Sequence, residues 1–191
     1  MRSAWRCEAH GEVLPLVRHL RVGPDVLRSA VAHSRVPIWA PLPMPPGWCV
    51  TGLEQVGDER SGGRAVVLAL TGPSPLGGPA DVLLLSEEPG VGLATRHAGL
   101  TDREPDLAAL LATPPEAKVE TAGHPTALWR CDAPPDRVAY VGEAGGVWFW
   151  AVLWPASAAV LLDEHVALHD LRHGLHAGVD LPIGASSPRL V

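Results

Sequence analysis

The most apolar stretch of the chain, residues 147–162, strongly limits what the protein can fold into. It reads VWFWAVLWPASAAVLL, and its 16 residues fall short of the ~20 that a membrane-spanning helix needs. Residues that favour β-structure fill only its first half, and Pro155 interrupts it. The stretch therefore predicts a buried strand that runs into a short helix, and a transmembrane helix is rejected.

Six further runs of strand-forming residues are distributed along the chain. Residues 48–56 and 64–71 flank GDERSGG, whose glycines and Asp58 suit a hairpin loop. The second of these runs and the next one, residues 82–86, are almost entirely apolar, which is typical of strands in the middle of a covered sheet. Three more runs, AKVETAG, PTALWRC and DRVAYVGE, precede VWFWAVLW, and AGG at 144–146 predicts a hairpin between the last two.

Helical patterns are limited to short segments that do not alternate with the strands. Gly23-Pro24-Asp25 is a helix start before VLRSAVAHS, and DLAALLA at 106–112 predicts a second short helix. The fold class is therefore predicted to be α+β: a curved antiparallel β-sheet of about seven strands with two or three helices packed on one face. Residues 1–20 are interpreted as a small N-terminal appendage.

Charge and cysteine content bear on partners and on cellular location. The 191-residue chain has 15 basic and 21 acidic residues, which gives a formal net charge of −6. Electrostatic binding to nucleic acid needs a basic face that displaces counterions, so nucleic acid is not an expected partner. Cys7, Cys49 and Cys131 are odd in number and widely spaced, which indicates a reducing compartment. With no recognisable secretion signal, a cytoplasmic location without a membrane partner is expected.

Several short strings together resemble an uncharacterised actinobacterial family of unknown function. They are WRCEAHG, GDERSGGRA, GPSPLGGP, EEPGVGL followed by AGL, AGHP with LW, YVGEAGGVWFW with VLWP, and the closing DLR. The strings extend over almost the whole chain and are specific as a set. The resemblance implies no activity, substrate or catalytic residue.

The same resemblance bears on zinc through Cys7 and His10. Longer members of the family begin with a zinc-ribbon-like CxxC…CxxH, and Cys7-x-x-His10 matches its second half. Residues 1–20 are therefore interpreted as a zinc-knuckle remnant in front of an α+β domain of residues 21–191. A structural zinc ion needs four ligands, so zinc is expected only if the missing ligands are supplied from elsewhere.

A second group of metal-ligand candidates lies near the C-terminus. His165, His169 and His173 are spaced at i, i+4 and i+8, which on a helix places them near one face, and His176 follows. The string VALHDL has strand character and Gly174 interrupts the pattern. Solvated surface histidines are therefore the favoured alternative.

Two other features suit an organic ligand. Trp148, Trp150 and Trp154 have the same parity on one strand, so they share a face that suits ligand stacking. Burial of this face as core is the favoured alternative. Gly90 and Gly92 form a GxG sequence after a strand, which suits close approach of a phosphate to the backbone, although a tight turn is the better interpretation.

The leading functional hypothesis is a non-catalytic binding or adaptor protein with an unknown protein or small-molecule partner. No GxSxG motif or placed nucleophile–base pair supports covalent catalysis. The alternative is a metal-dependent hydrolase that uses some of His124, Glu87, Glu88 and the C-terminal histidines. A third hypothesis is contact with nucleic acid through the knuckle.

Overall fold

The computed structural model describes residues 6–7, 11–12, 14–58, 60–100, 106–162, 166–174 and 181–190. Its strands are β1 (Arg6–Cys7), β2 (Gly11–Glu12), β3 (Leu16–His19), β4 (Trp39–Pro41), β5 (Cys49–Asp58), β6 (Gly62–Pro73), β7 (Pro79–Glu87), β8 (Ala117–Thr121), β9 (His124–Cys131), β10 (Val138–Ala144), β11 (Val147–Trp154) and β12 (Ala167–Asp170). Its helices are α1 (Pro24–His33), α2 (Leu93–Ala98), α3 (Leu107–Leu111) and α4 (Leu171–Gly174), with 3₁₀ helices η1 (Ala156–Leu162) and η2 (Pro188–Leu190). The fold is mixed α and β and is dominated by strands.

Ten of these strands form one open sheet. Their order is β3-β5-β6-β7-β11-β10-β9-β8-β12-β4, while β1 and β2 pair separately. Neighbouring strands are antiparallel, except that β12 runs parallel to β8. The seven runs predicted as strands correspond to β5–β11, but the predicted count is too low because β3, β4 and β12 also join the sheet.

Two of the additional strands lie where the sequence pattern is weak. β4 is three residues long and falls in a proline-rich connector, residues 36–48, and proline removes a donor from the ladder. β3 falls in the segment interpreted as an N-terminal appendage, yet Leu16–His19 pairs with β5. The sheet therefore includes residues of the segment 1–20, and the division of the chain at residue 21 stays a prediction.

The sheet curls over one of its own faces. In the strand order β4 stands five positions from β11. The indole of Trp39 in β4 nevertheless meets the ring of Phe149 in β11 edge-on, with 6.4 Å between the centroids. The end of the sheet formed by β8, β12 and β4 thus lies over its middle, and the face enclosed in this way is called the inner face below.

Both faces of the central strands are buried, and helices cover both of them. On the inner face, Leu68 and Phe149 belong to a core that also includes Leu27 of α1 and Leu162 of η1. On the opposite, outer face, Leu85 belongs to a second core that includes Leu93 of α2. The predicted placement of the helices on one face is therefore wrong. Strands that are apolar at successive positions need a cover on each side.

The apolar stretch at 147–162 folds as predicted. Residues Val147–Trp154 form β11, and the short helix that follows is the 3₁₀ helix η1. No helix in the described parts of the chain is long and apolar enough to cross a membrane.

Asp170 links strand β12 to the proline-rich connector. Its side chain is buried, and its Oδ1 accepts hydrogen bonds from the backbone N–H of Ile38 at 3.1 Å and of Arg172 at 3.0 Å. The Arg172 guanidinium donates to Oδ2 at 2.7 Å and to the carbonyl of Arg35 at 2.7 Å. Burial acts to raise the pKa of Asp170, but the hydrogen bonds and charge of Arg172 outweigh it and lower that pKa. The ionised carboxylate thereby holds β12 next to β4.

Replacing Asp170 with alanine is expected to destabilise the fold strongly. The change leaves the buried N–H of Ile38 without its acceptor, so the free energy of unfolding should fall by about 2–3 kcal/mol in urea denaturation. The control is Asp25→Ala, because the ion pair of Asp25 with Arg28 is exposed and should contribute less than ~1 kcal/mol. Equal losses in the two variants would contradict this account of Asp170.

Candidate functional site

The curl of the sheet forms an apolar cavity of about 110 Å³ that is partly open to solvent. Its walls come from the middle of the sheet, from the β8–β12–β4 end, from η1 and from the proline-rich connector. The lining residues are Pro41, Pro45, Trp48, Leu70, Val82, Leu84, Val119, Phe149, Ala151, Leu153, Leu161, Leu162, Val166 and Leu168. All of these side chains are apolar apart from the indole N–H of Trp48, so the cavity suits a hydrocarbon group.

The alternation of side chains along each strand places the residues of the inner cavity wall on one face of the sheet. Successive side chains of a strand point to opposite faces of the sheet, so Phe149, Ala151 and Leu153 of β11 share the inner face. Val82 and Leu84 do the same on β7, which pairs with β11. The small side chain of Ala151 between two large ones leaves part of the space open.

A second, larger hollow of about 600 Å³ lies along β8. Its lining includes Glu116, Lys118 and Glu120, and all three charged side chains are exposed. This hollow is therefore a surface groove in which charged side chains stand beside apolar ones such as Val119 and Leu162. It differs from the inner cavity in having charged residues in its lining.

The three predicted stacking tryptophans share one face, as their parity requires, but it is the outer face. Trp150 and Trp154 are only 2% and 4% exposed and belong to the outer core, and Trp148 packs against that core while half-buried. Their burial favours the core interpretation that the sequence left open. Ligand binding by Trp148, Trp150 and Trp154 stays a prediction.

The ring of Trp154 is already engaged by side chains of the same chain. The guanidinium carbons of Arg137 and Arg189 lie 4.9 Å and 5.1 Å from the centroid of this ring. The indole Nε1 donates to Asp136 at 3.3 Å. These cation–π contacts occupy the ring of Trp154.

Gly90 and Gly92 form a tight turn between β7 and α2. Both have positive φ angles, 85° and 78°, which suit glycine. The position where a phosphate would bind is taken by Glu87, whose carboxylate accepts a hydrogen bond from the backbone N–H of Ala94 at 3.1 Å. Burial raises the pKa of Glu87 against the opposing effect of the N–H groups of Ala94 and Leu93. The turn interpretation of the GxG sequence is thus favoured.

A buried charged cluster on the outer face was missed by the sequence analysis. Glu54 in β5 is 0% exposed, and its Oε2 lies 2.7 Å from Nε2 of His97 in α2. Its Oε1 accepts a hydrogen bond from Arg18 in β3. Burial acts to raise the pKa of Glu54, but His97 and Arg18 outweigh it and lower that pKa. The one available signal was a glutamate in the middle of a covered strand, which needs a partner.

The predicted metal ligands are not brought together within the described residues. The side chain of Cys7 and the residues His10, His165 and His176 lie outside them. His169 lies on β12 whereas His173 lies on α4, so the two do not share a helix face as the i, i+4 spacing predicted. Within the described ranges no three His, Cys, Asp or Glu side chains form a group that could hold a metal ion.

The residues of the predicted hydrolase site are also apart. His124 is exposed at the start of β9, and Glu87 is buried on β7, three strands away. At the usual strand spacing this separation is roughly 14 Å or more. Glu88 accepts a hydrogen bond from Arg64 at 2.6 Å.

Comparison with known proteins places the chain in a family. The family of unknown function DUF6758 matches residues 1–190. The chain belongs to this family. No curated protein and no solved structure matches it.

The structure gives two of the strings shared with the expected family a physical role in this DUF6758 protein. In GDERSGG, the carboxylate of Asp58 accepts the backbone N–H groups of Arg60 and Ser61 at 3.0 and 2.7 Å, which shapes the β5–β6 hairpin. In DLR, Asp170 accepts a hydrogen bond from the backbone N–H of Ile38, and Arg172 donates one to the backbone carbonyl of Arg35. The zinc ribbon implied by the resemblance stays a prediction.

Replacing Glu54 with glutamine is expected to change how stability depends on pH. The folded pKa of Glu54 lies below the unfolded value of ~4.3, so its contribution is present above that value and is lost as the pH falls through the folded pKa. At pH 7 the variant should lose about 3 kcal/mol, and its stability should decline less than that of the wild type as the pH falls below about 4.3. Urea denaturation at each pH measures both quantities.

The control for this experiment is Glu143→Gln, which removes one negative charge from an exposed position. Its decline in stability with falling pH should match that of the wild type. A Glu54→Gln curve that is parallel to the wild-type curve would show that Glu54 does not titrate as argued.

Proposed function

We propose that this DUF6758 protein is a non-catalytic binding protein that takes up a small, mainly apolar molecule in its inner cavity. The observation that carries the proposal is the continuous apolar lining inside the curl of the sheet. Enclosed apolar pockets are the usual form of small-molecule sites. Hydrocarbon that leaves water for such a pocket gains roughly 25 cal/mol for each Å² of apolar surface buried.

The size of the cavity limits its occupant. An apolar cavity of ~150 Å³ holds benzene in another protein. At about 110 Å³, this cavity suits a slightly smaller ring or a short branched chain. A longer ligand would place only one end inside.

The use of the charged groups supports binding rather than catalysis. Glu87 caps α2, Glu54 pairs with His97 and Arg18, and Asp170 holds β12 next to β4. Each of these carboxylates is thus committed to the fold. None of the three lines the inner cavity.

Replacing Ala151 with leucine is expected to abolish ligand uptake without unfolding the protein. Ala151 lines the cavity, so the added isopropyl group should occupy the space that the ligand needs. The probe is cyclopentane, titrated into protein with ¹³C-labelled Leu and Val methyl groups and followed by NMR. Wild-type methyl signals of Leu84, Val119 and Leu168 should shift, and the variant should bind at least ~10-fold more weakly with an unchanged or higher melting temperature.

The matched control makes the same substitution on the outer face. Ala139 is 0% exposed and packs in the outer core, so Ala139→Leu should overpack it and cost about 1–3 kcal/mol. Binding of cyclopentane should persist in this control. Absence of any shift in wild-type protein, or equal binding by the Ala151→Leu variant, would contradict the proposal.

A further inference from the structure

Strand β3 forms an open edge of the ten-stranded sheet. It pairs with β5 on one side, and among the described residues no strand pairs with its other side. The hairpin of β1 and β2 forms a sheet of its own and does not extend this edge. An unpaired edge strand presents free backbone donors and acceptors, which can pair with a strand from another chain.

The hydrogen bonds between β3 and β5 show which backbone groups of β3 point away from the sheet. The N–H of Gly57 donates to the carbonyl of Pro15 at 3.0 Å. Successive residues of an antiparallel strand alternate between bonding to one neighbour and bonding to the other, so Val17, like Pro15, bonds to β5. The N–H and C=O groups of Leu16 and Arg18 therefore point outward.

Several side chains along this edge are apolar and exposed. Leu16, Val17 and Leu20 are 38%, 42% and 37% exposed, and they are three of the six large apolar side chains that are exposed within the described ranges. Ile183, at 44%, is a fourth, and it lies in the C-terminal segment whose Ser186 hydroxyl donates to the carbonyl of Leu20 at 2.7 Å. Exposed apolar side chains that gather along one edge are typical of protein contacts.

The charge on this edge is directed into the sheet. Edge strands commonly avoid pairing with other chains by presenting charged side chains. The guanidinium of Arg18 instead donates to the buried carboxylate of Glu54 in β5. Two copies of β3 can therefore approach each other with each arginine neutralised by its own glutamate.

We propose that β3 pairs with the β3 strand of a second copy of this chain, antiparallel and about a two-fold axis at Val17. In this register Leu16 of each copy exchanges two backbone hydrogen bonds with Arg18 of the other, so the outward groups of both strands are all used. The two Val17 side chains face each other across the axis, apolar against apolar. The edge is thus complementary to itself, as a two-fold interface requires.

This interface is separate from the proposed ligand site. No residue of β3 lines the inner cavity, so dimerisation and ligand binding can fail independently. The contact consists of a short strand with a few flanking side chains, which is small for a protein interface. The dimer should therefore be weak, and its population should rise with protein concentration.

The test is sedimentation velocity of the full chain over a range of concentrations, for wild-type protein and for Val17→Lys and Val17→Glu. Wild-type protein should shift from monomer to dimer as its concentration rises. Each variant alone places two like charges at the axis, which should weaken dimerisation at least ~10-fold. An equimolar mixture of the two variants should dimerise again, because opposite charges then face each other.

The matched control is Leu76→Lys, which alters a 67% exposed leucine between β6 and β7 and should dimerise as the wild type does. Wild-type protein that stays monomeric at millimolar concentration would overturn the proposal. A dimer that Val17→Lys does not weaken would mean that the copies meet at another surface. A mixture of the two variants that fails to dimerise would exclude the register about Val17.

Amide hydrogen exchange of wild-type protein gives a readout that needs no substitution. The N–H groups of Leu16 and Arg18 should exchange quickly in dilute protein and more slowly as the dimer forms. The N–H of Val17 bonds to β5, so it should be protected at every concentration and is the internal control. Protection of Leu16 and Arg18 that does not change with concentration would mean that the chain covers this edge itself, and the proposal would be wrong.

Discussion

Burial of both faces of the central strands is the constraint on which the rest of the structure depends. Strands β6, β7 and β11 are apolar at most successive positions, and β5 is buried along most of its length, so each face of the sheet needs a cover. Helices α1 and η1 supply part of the inner cover and α2 part of the outer one. Polar side chains on these strands then need partners within the protein, which explains why Glu54 meets His97 and why Glu87 caps α2. Gln55, Ser86 and Trp150 are exceptions, because each has a buried polar atom with no hydrogen-bond partner among the described residues.

The local part of this fold could be predicted from the sequence. The runs that form β5–β11 have strand composition and turn residues between them, and both are properties of neighbouring residues. The same holds for α1, which begins at Pro24 and buries Leu27 and Ala30. Family membership was also expected, because the shared strings extend along the whole chain.

The parts that escaped prediction depend on contacts between distant residues. Glu54 and His97 are 43 residues apart, and no local pattern indicates that their side chains meet. The short strand β4 is stabilised by pairing with β12 and not by its own composition, which is rich in proline around it. The three tryptophans of β11 illustrate a second limit. Their parity correctly predicted that they share one face of the sheet. Whether that face is buried depends on the side chains that cover it, which come from α2 and from Arg137 and Arg189.

The pairing of β4 with β12 has a consequence for the order in which the protein can form. Trp39 is aligned with Asp170, so the two strands that complete the cavity come from opposite ends of the chain. On a ribosome the meander β5–β6–β7 can pair soon after it emerges, whereas β4 must wait until almost the whole chain has been made. During that interval the inner face of the sheet lacks part of its cover. The nascent protein therefore exposes apolar surface longest at the place where the mature protein is proposed to hold its ligand.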